Sequence, residues 1–273
     1  SSQARQFTFT SKQLEEKRIE AYRNASSSFT VSLSPEDHIR YVNFYCNKLL
    51  EASYKLNFNR HQRYTALALM QRVYINRTIW EIPPQLAMIS CLFLVTKFIR
   101  PQSIHELLGS LGFGSDFDEK FQPEKQMSKV EIGVLTALDF KLKIYLPFHQ
   151  VEALCHNQPF SEKSEEAQRV LFEILKTDAL LLYPPSQIAL AAVSKVVGQE
   201  EALAALGDVQ VPDGIDLTRN IDEILQLQAD AMNEEEIRQV ESNLGPEFAV
   251  FQVIERQKKK EAQFDKPSSM LPP

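Results

Sequence analysis

IPPQLAMISCLFLVTKF, residues 82–98, is the stretch on which the fold turns. Two prolines stand where the first turn of a helix tolerates them, because an N-terminal N–H has no acceptor within the helix and the ring fixes φ near its helical value. From Leu86 to Val95 every position is apolar or small, so no polar face remains. A helix apolar all round belongs inside a bundle, with other helices on every side. It is too short for a bilayer, which needs about 20 apolar residues, and Gln85 and Lys97 bound it. The expectation is a central core helix that ends in a lysine.

Amphipathic helices flank it. Ser34-Pro35-Glu36-Asp37 starts one with a capping serine, proline at the first helical position and acids against the helix dipole; Ile39, Val42, Cys46, Leu49 and Ser53 recur at three- and four-residue steps up to about Leu56. A second helix is expected from about Arg60 to Asn76, with Tyr64, Leu67, Met70, Val73 and Tyr74 on its core side. After the central helix come a short fourth one over Ser103 to Leu111, a loop at 112–118 (GFGSDFD), and a fifth from Gln122-Pro123-Glu124 to Phe140. The fifth has Met127, Val130, Val134, Leu135 and Leu138 as core positions.

The chain then repeats itself. Tyr183-Pro184-Pro185 followed by Gln187, Ile188 and Ala189 echoes Ile82-Pro83-Pro84 followed by Gln85, Leu86 and Ala87. Self-similarity at about a hundred residues exceeds solenoid repeats and points to a duplicated domain. In the second copy, helices are expected at 147–156, 161–183, 184–193, 199–206 and 216–231. Thr10-Ser11-Lys12-Gln13 has the shape of a capping box and opens an outlying helix with a narrow seam of Leu14, Ala21 and Tyr22. Another outlying helix spans Asn233 to Leu244 and resumes from Glu247 to Lys260 with a Phe248, Phe251 and Ile254 seam. The expected fold class is therefore all-α: two tandem five-helix repeats flanked by N- and C-terminal helices. The units are 1–33 (helix and linker), 34–143 (first repeat), 144–231 (second repeat) and 232–273 (helix and tail).

Composition supports an ordered helical protein and excludes several functions. The chain has 273 residues, 44% hydrophobic and 24% charged, with eight glycines and a net charge of −6. That balance offers no phosphate-neutralising surface for nucleic acid. Cys46, Cys91 and Cys155 lie singly in apolar helical patterns and read as buried, reduced thiols. No apolar leader or spanning segment is seen, so the expectation is a soluble intracellular protein, not a membrane protein. Gly112-Phe113-Gly114 lacks the rest of a phosphate loop and reads as a turn. The five histidines show no metal-ligand spacing, and no nucleophile elbow or kinase signature occurs. No enzyme, metal or cofactor is expected. Carboxylate runs such as Glu234-Glu235-Glu236 read as solvated helix faces.

One pair stands out. Lys97 ends the most apolar helix, while Glu131 lies on the fifth helix on the side of Leu135 and Leu138. Taken alone, Lys97 reads first as a helix-ending lysine reaching for solvent, with Glu131 an unrelated surface acid.

The pattern resembles the cyclin family, whose fold is two five-helix repeats around apolar third helices. The resemblance rests on Thr65-Ala66 through Tyr74-Ile75-Asn76, on Cys91-Leu92-Phe93-Leu94 to Lys97, and above all on the run from Thr177 to Leu190, TDALLLYPPSQIAL. It implies that Lys97 and Glu131 form the kinase-binding pair, beside apolar Phe98, Leu135, Phe140 and Leu142. It also implies a non-catalytic, nuclear subunit that binds and activates a cyclin-dependent kinase catalytic subunit. The resemblance is to the kinase-activating type, which assembles with a RING-finger factor and the factor IIH core. Such a complex acts on kinase activation loops and on the RNA polymerase II C-terminal repeat, in transcription, repair and the cell cycle. This chain departs from the wider family at Ile99-Arg100, where many members are acidic. It departs again at Ile39-Arg40-Tyr41-Val42-Asn43, which is not the substrate-docking MRAIL motif. Rival expectations are another transcriptional cyclin, a DNA-bound factor IIB-like protein of the same duplicated fold, and a helical scaffold without a kinase partner.

Overall fold

The computed structural model describes residues 8–26, 33–97, 103–111, 123–156, 158–207, 209 and 214–244, and among them all regular structure is helical. The order is α1 (Ser11–Ser26), α2 (Pro35–Lys55), α3 (Arg60–Asn76), α4 (Pro84–Lys97), α5 (Ile104–Ser110), α6 (Pro123–Ala137) and α7 (Phe148–Cys155). After a 3-10 turn at Ser161–Lys163 come α8 (Ser164–Ile174), α9 (Ala179–Leu182), α10 (Pro185–Val197), α11 (Gln199–Ala204), α12 (Leu217–Gln226) and α13 (Glu234–Leu244).

α4 is the axis of the first unit. Every residue from Pro84 to Thr96 is buried except Phe93, which is half-buried, and α2, α3 and α6 pack around it. Each large apolar side chain removed from water there contributes about 1.5–3 kcal/mol. α10 holds the same place in the second unit, ringed by α7, α8, α11 and α12. The starts of these helices are as their sequences dictate. Ser34 caps α2 by accepting from the Asp37 N–H at 3.0 Å. Asn59 and Gln62 cap α3 reciprocally, and Thr10 and Gln13 do so for α1 at 3.2 and 2.9 Å.

Several helices differ from their expected bounds: α10 runs on to Val197, past 193, and α12 stops at Gln226, short of 231. α6 stops at Ala137 instead of Phe140, because Asp139 (φ 50°) and Phe140 (φ 55°) turn left-handed. The Asp139 N–H donates to Thr136 O and the Phe140 N–H to Leu135 O, a Schellman cap in which an aspartate stands where glycine is usual. The single helix expected over 161–183 is broken at 175–178. There the Gln71 side-chain amide, from α3, donates to the carbonyls of Leu175, Lys176 and Thr177. Thr177 Oγ1 donates to Ile174 O and accepts from the Ala179 N–H, a local alternative to the helical ladder. The expected helix at 247–260, with Phe248, Phe251 and Ile254, and the 112–118 loop lie outside the described residues.

Both outlying helices are fastened to the body. Leu14, 3% exposed, packs on Ile75 of the first unit and Leu181 of the second, and Arg18 makes a bidentate pair with Asp178 at 2.7 Å to each oxygen. α1 thus clamps the two units together. Of its expected seam, Ala21 and Tyr22 are half-buried. α13 lies on α2. Arg40 pairs with Glu236 and Asp230, both at 2.9 Å, while Glu241 is buried among Tyr41, Tyr45 and Gln85, each donating to it.

Candidate functional site

The ends of α4 and α6 bring together the pair singled out from sequence. Lys97 Nζ and Glu131 Oε1 form an ion pair, 34 residues apart along the chain. The lysine side chain remains 42% exposed and the glutamate 17%. One helical turn back, the half-buried Phe93 ring lies beneath the ammonium, 4.4 Å from it. Lys97 is therefore held between a carboxylate and an aromatic face, not left free to reach for solvent. Such a pair in water contributes at most about 1 kcal/mol, and the ring about as much again. The fold does not depend on it.

Around the pair the surface is apolar. α6 and the residue after it bury Met127, Val134, Ala137 and Leu138; at 100° per residue Glu131 falls on this buried side, Leu135 at its margin and Ile132 opposite. Ile132 is 63% exposed and Phe140 67%. Leu135 and Leu142 are half-buried, packed against the core. The Schellman cap carries Phe140 at the position that commonly meets the residue bonded across it, here Leu135. Two successive non-glycine residues at positive φ cost about 1–2 kcal/mol each, so a strained turn presents a large aromatic ring to solvent. Asp139 pairs with Lys141 across this turn.

Among the expected site residues, Lys97, Glu131, Leu135, Phe140 and Leu142 thus lie on the end of α4, on α6 and on the segment after it. Phe98, with Ile99 and Arg100, falls outside the described residues. Ile132 was not singled out from the sequence. Its signal was there: an isoleucine one position after Glu131, off the core stripe, has no buried place to go.

Among the described residues no three His, Cys, Asp or Glu side chains stand where they could hold one metal ion. The three cysteines are free and buried; burial pushes the Cys46 thiol up to about 12 and raises Cys91 and Cys155 as well. Burial, with Arg18 nearby, lowers His38 to about 4. Its Nε2 accepts from the Ile79 N–H at 3.0 Å, a structural use of a neutral ring. The Lys97–Glu131 face offers apolar anchors with fixed charge between them, which suits an amphipathic partner helix.

Comparison with known proteins agrees with this architecture. Residues 11–143 match the cyclin N-terminal domain. Cyclin-H of Xenopus laevis is 28% identical over 188 residues, which cover 64% of this chain and 57% of that protein. Cyclin-C1-1 of Oryza sativa subsp. japonica is 28% identical over 132 residues, covering 47% of this chain and 51% of that protein. The chain spans little more than half the length of these relatives. Among solved structures, a chain in the CAK complex of Chaetomium thermophilum bound to ATP-γ-S is similar over 100% of this chain and 96% of its own, with a TM-score of 0.69 at 21% identity.

Proposed function

We propose that this chain, whose residues 11–143 match the cyclin N-terminal domain, is a cyclin: the regulatory subunit of a cyclin-dependent kinase, with no catalysis of its own. The type proposed is that of cyclin H, in the kinase module of general transcription factor IIH. The observation that carries the reading is the Lys97–Glu131 pair set among Ile132, Leu135 and Phe140. A mobile helix of the kinase lays its apolar face on this patch, with Phe140 and Ile132 as anchors. The paired charges fix its register and penalise other partners. The subunit activates because it binds the active arrangement of that helix more tightly than the inactive one, and so shifts the population. Covering the pair removes it from water, and truncating either member then costs about 2–5 kcal/mol of binding. Phe98, Leu135 and Leu142 are assigned to the same contact.

The substrates proposed are the activation loops of other cyclin-dependent kinases and the RNA polymerase II C-terminal repeat. A RING-finger assembly factor and the factor IIH core are the further partners, and the nucleus the location. A factor IIB-like role on DNA would need a basic face, against a net charge of −6. Isolation of the native complex tests the proposal. The expected result is a bound kinase that phosphorylates both substrate classes; recovery without protein kinase activity overturns it.

A further inference from the structure

The two helical units are joined by residues 141–146, KLKIYL, which adopt neither helix nor turn. Burial alternates along them. Leu142 and Ile144 pack on the core and Leu146 is buried, whereas Lys143 and Tyr145 are exposed. A period of two is that of an extended strand, in which residues i and i+2 share a face. Lys143 Nζ accordingly stands 4.8 Å from the centre of the Tyr145 ring. The alternation marks the linker as an extended segment laid over helices, and among the described residues no strand is assigned beside it.

Its edge is open. The N–H and C=O groups of Leu142, Lys143 and Ile144 make no hydrogen bond to other main-chain groups among the described residues. Successive residues of a strand direct these groups to opposite edges, so Leu142 and Ile144 share one edge. The Lys141 N–H, on the other, is taken by Leu138 O at 2.9 Å. Such an edge is a ready template for an incoming strand. The charge beside it is positive in a chain of net charge −6: Lys143 makes no ion pair among the described residues, and Lys141 has only Asp139 of its own turn.

We propose that this edge is a docking site for an extended acidic segment of a partner protein, added as a second strand beside Leu142 and Ile144 with carboxylates toward Lys141 and Lys143. Main-chain hydrogen bonds supply the affinity and the lysines select the sequence. The edge includes Leu142, which the proposed kinase contact also uses, so the test is made on the chain free of kinase.

The probe is a fluorescein-labelled peptide alternating glutamate with valine, titrated against the whole chain with amide hydrogen exchange read in parallel. The expected result is saturable binding that slows exchange at Leu142 and Ile144. Lys143→Glu should weaken it about tenfold through the reversed surface charge, and N-methylation of alternate peptide residues should abolish it. Equal affinity for a lysine–valine peptide overturns the proposal. So does protection confined to other segments, binding indifferent to N-methylation, or no binding at millimolar peptide.

Discussion

Lowering the pH from 7 to 5 should weaken the fold chiefly through one side chain, His38, with the His61 ring, also lowered by burial, acting in the same direction. The ring is buried, its Nε2 is committed to the Ile79 N–H, and Arg18 stands near enough to oppose a second positive charge, so the group protonates only at about 4. In the unfolded chain it protonates near its ordinary 6.5. Between these values the unfolded state holds a proton that the folded state lacks, so stability falls as pH falls. The neutral-ring contribution is present above 6.5 and lost progressively down to 4. The full difference is about 3 kcal/mol, of which about 2 kcal/mol is lost between pH 7 and pH 5. Urea unfolding followed by circular dichroism at the two pH values measures this, with His38→Gln as the comparison, since its amide oxygen can still accept from Ile79. The variant should lose most of the pH dependence in this window. Carboxylates held low by their partners, such as Glu152 beside Arg60, act only at lower pH. An unchanged pH dependence in the variant, or an NMR titration of His38 near 6.5, would refute the reasoning.

Other substitutions separate folding from docking. Phe140→Gly removes a side chain from a strained φ of 55° and should leave thermal stability unchanged or raised by up to about 1 kcal/mol. The same change should weaken kinase binding at least about tenfold, as loss of an aromatic anchor does, read by calorimetry. Leu14→Ala should destabilise by about 2–4 kcal/mol, measured as a shift in the denaturant midpoint, because Leu14 is the wedge between Ile75 and Leu181. Cys46 and Cys91 should resist a thiol reagent until the chain unfolds, since their raised values and burial leave almost no thiolate.

What the sequence reveals is what depends on local rules. The all-helical duplicated fold was legible because α4 and α10 are apolar all round and each opens with a double proline. The caps at Ser34 and Thr10 were legible because capping is a three-residue affair. What stayed hidden depends on partners far along the chain. Arg18 meets Asp178 across 160 residues, and nothing in either stretch marks it. The break at 175–178 follows from Gln71, a polar residue on an otherwise ordinary core helix. Phe140 reads as the last apolar residue of a helix, yet the left-handed Asp139 turns it outward. Lys97 and Glu131 were each visible, but only the packing of α6 against α4 brings them into contact.

The central claim is that the end of α4 and the part of α6 that meets it form the face by which this chain turns on a kinase. Its most direct test is the double variant Lys97→Glu/Glu131→Lys, which keeps the ion pair in reversed sense, assayed for activation of the purified partner kinase. The account predicts an unchanged melting temperature together with activation weakened at least about thirtyfold, the loss of about 2 kcal/mol in a desolvated charge contact. Activation at the level of the unaltered chain would contradict it.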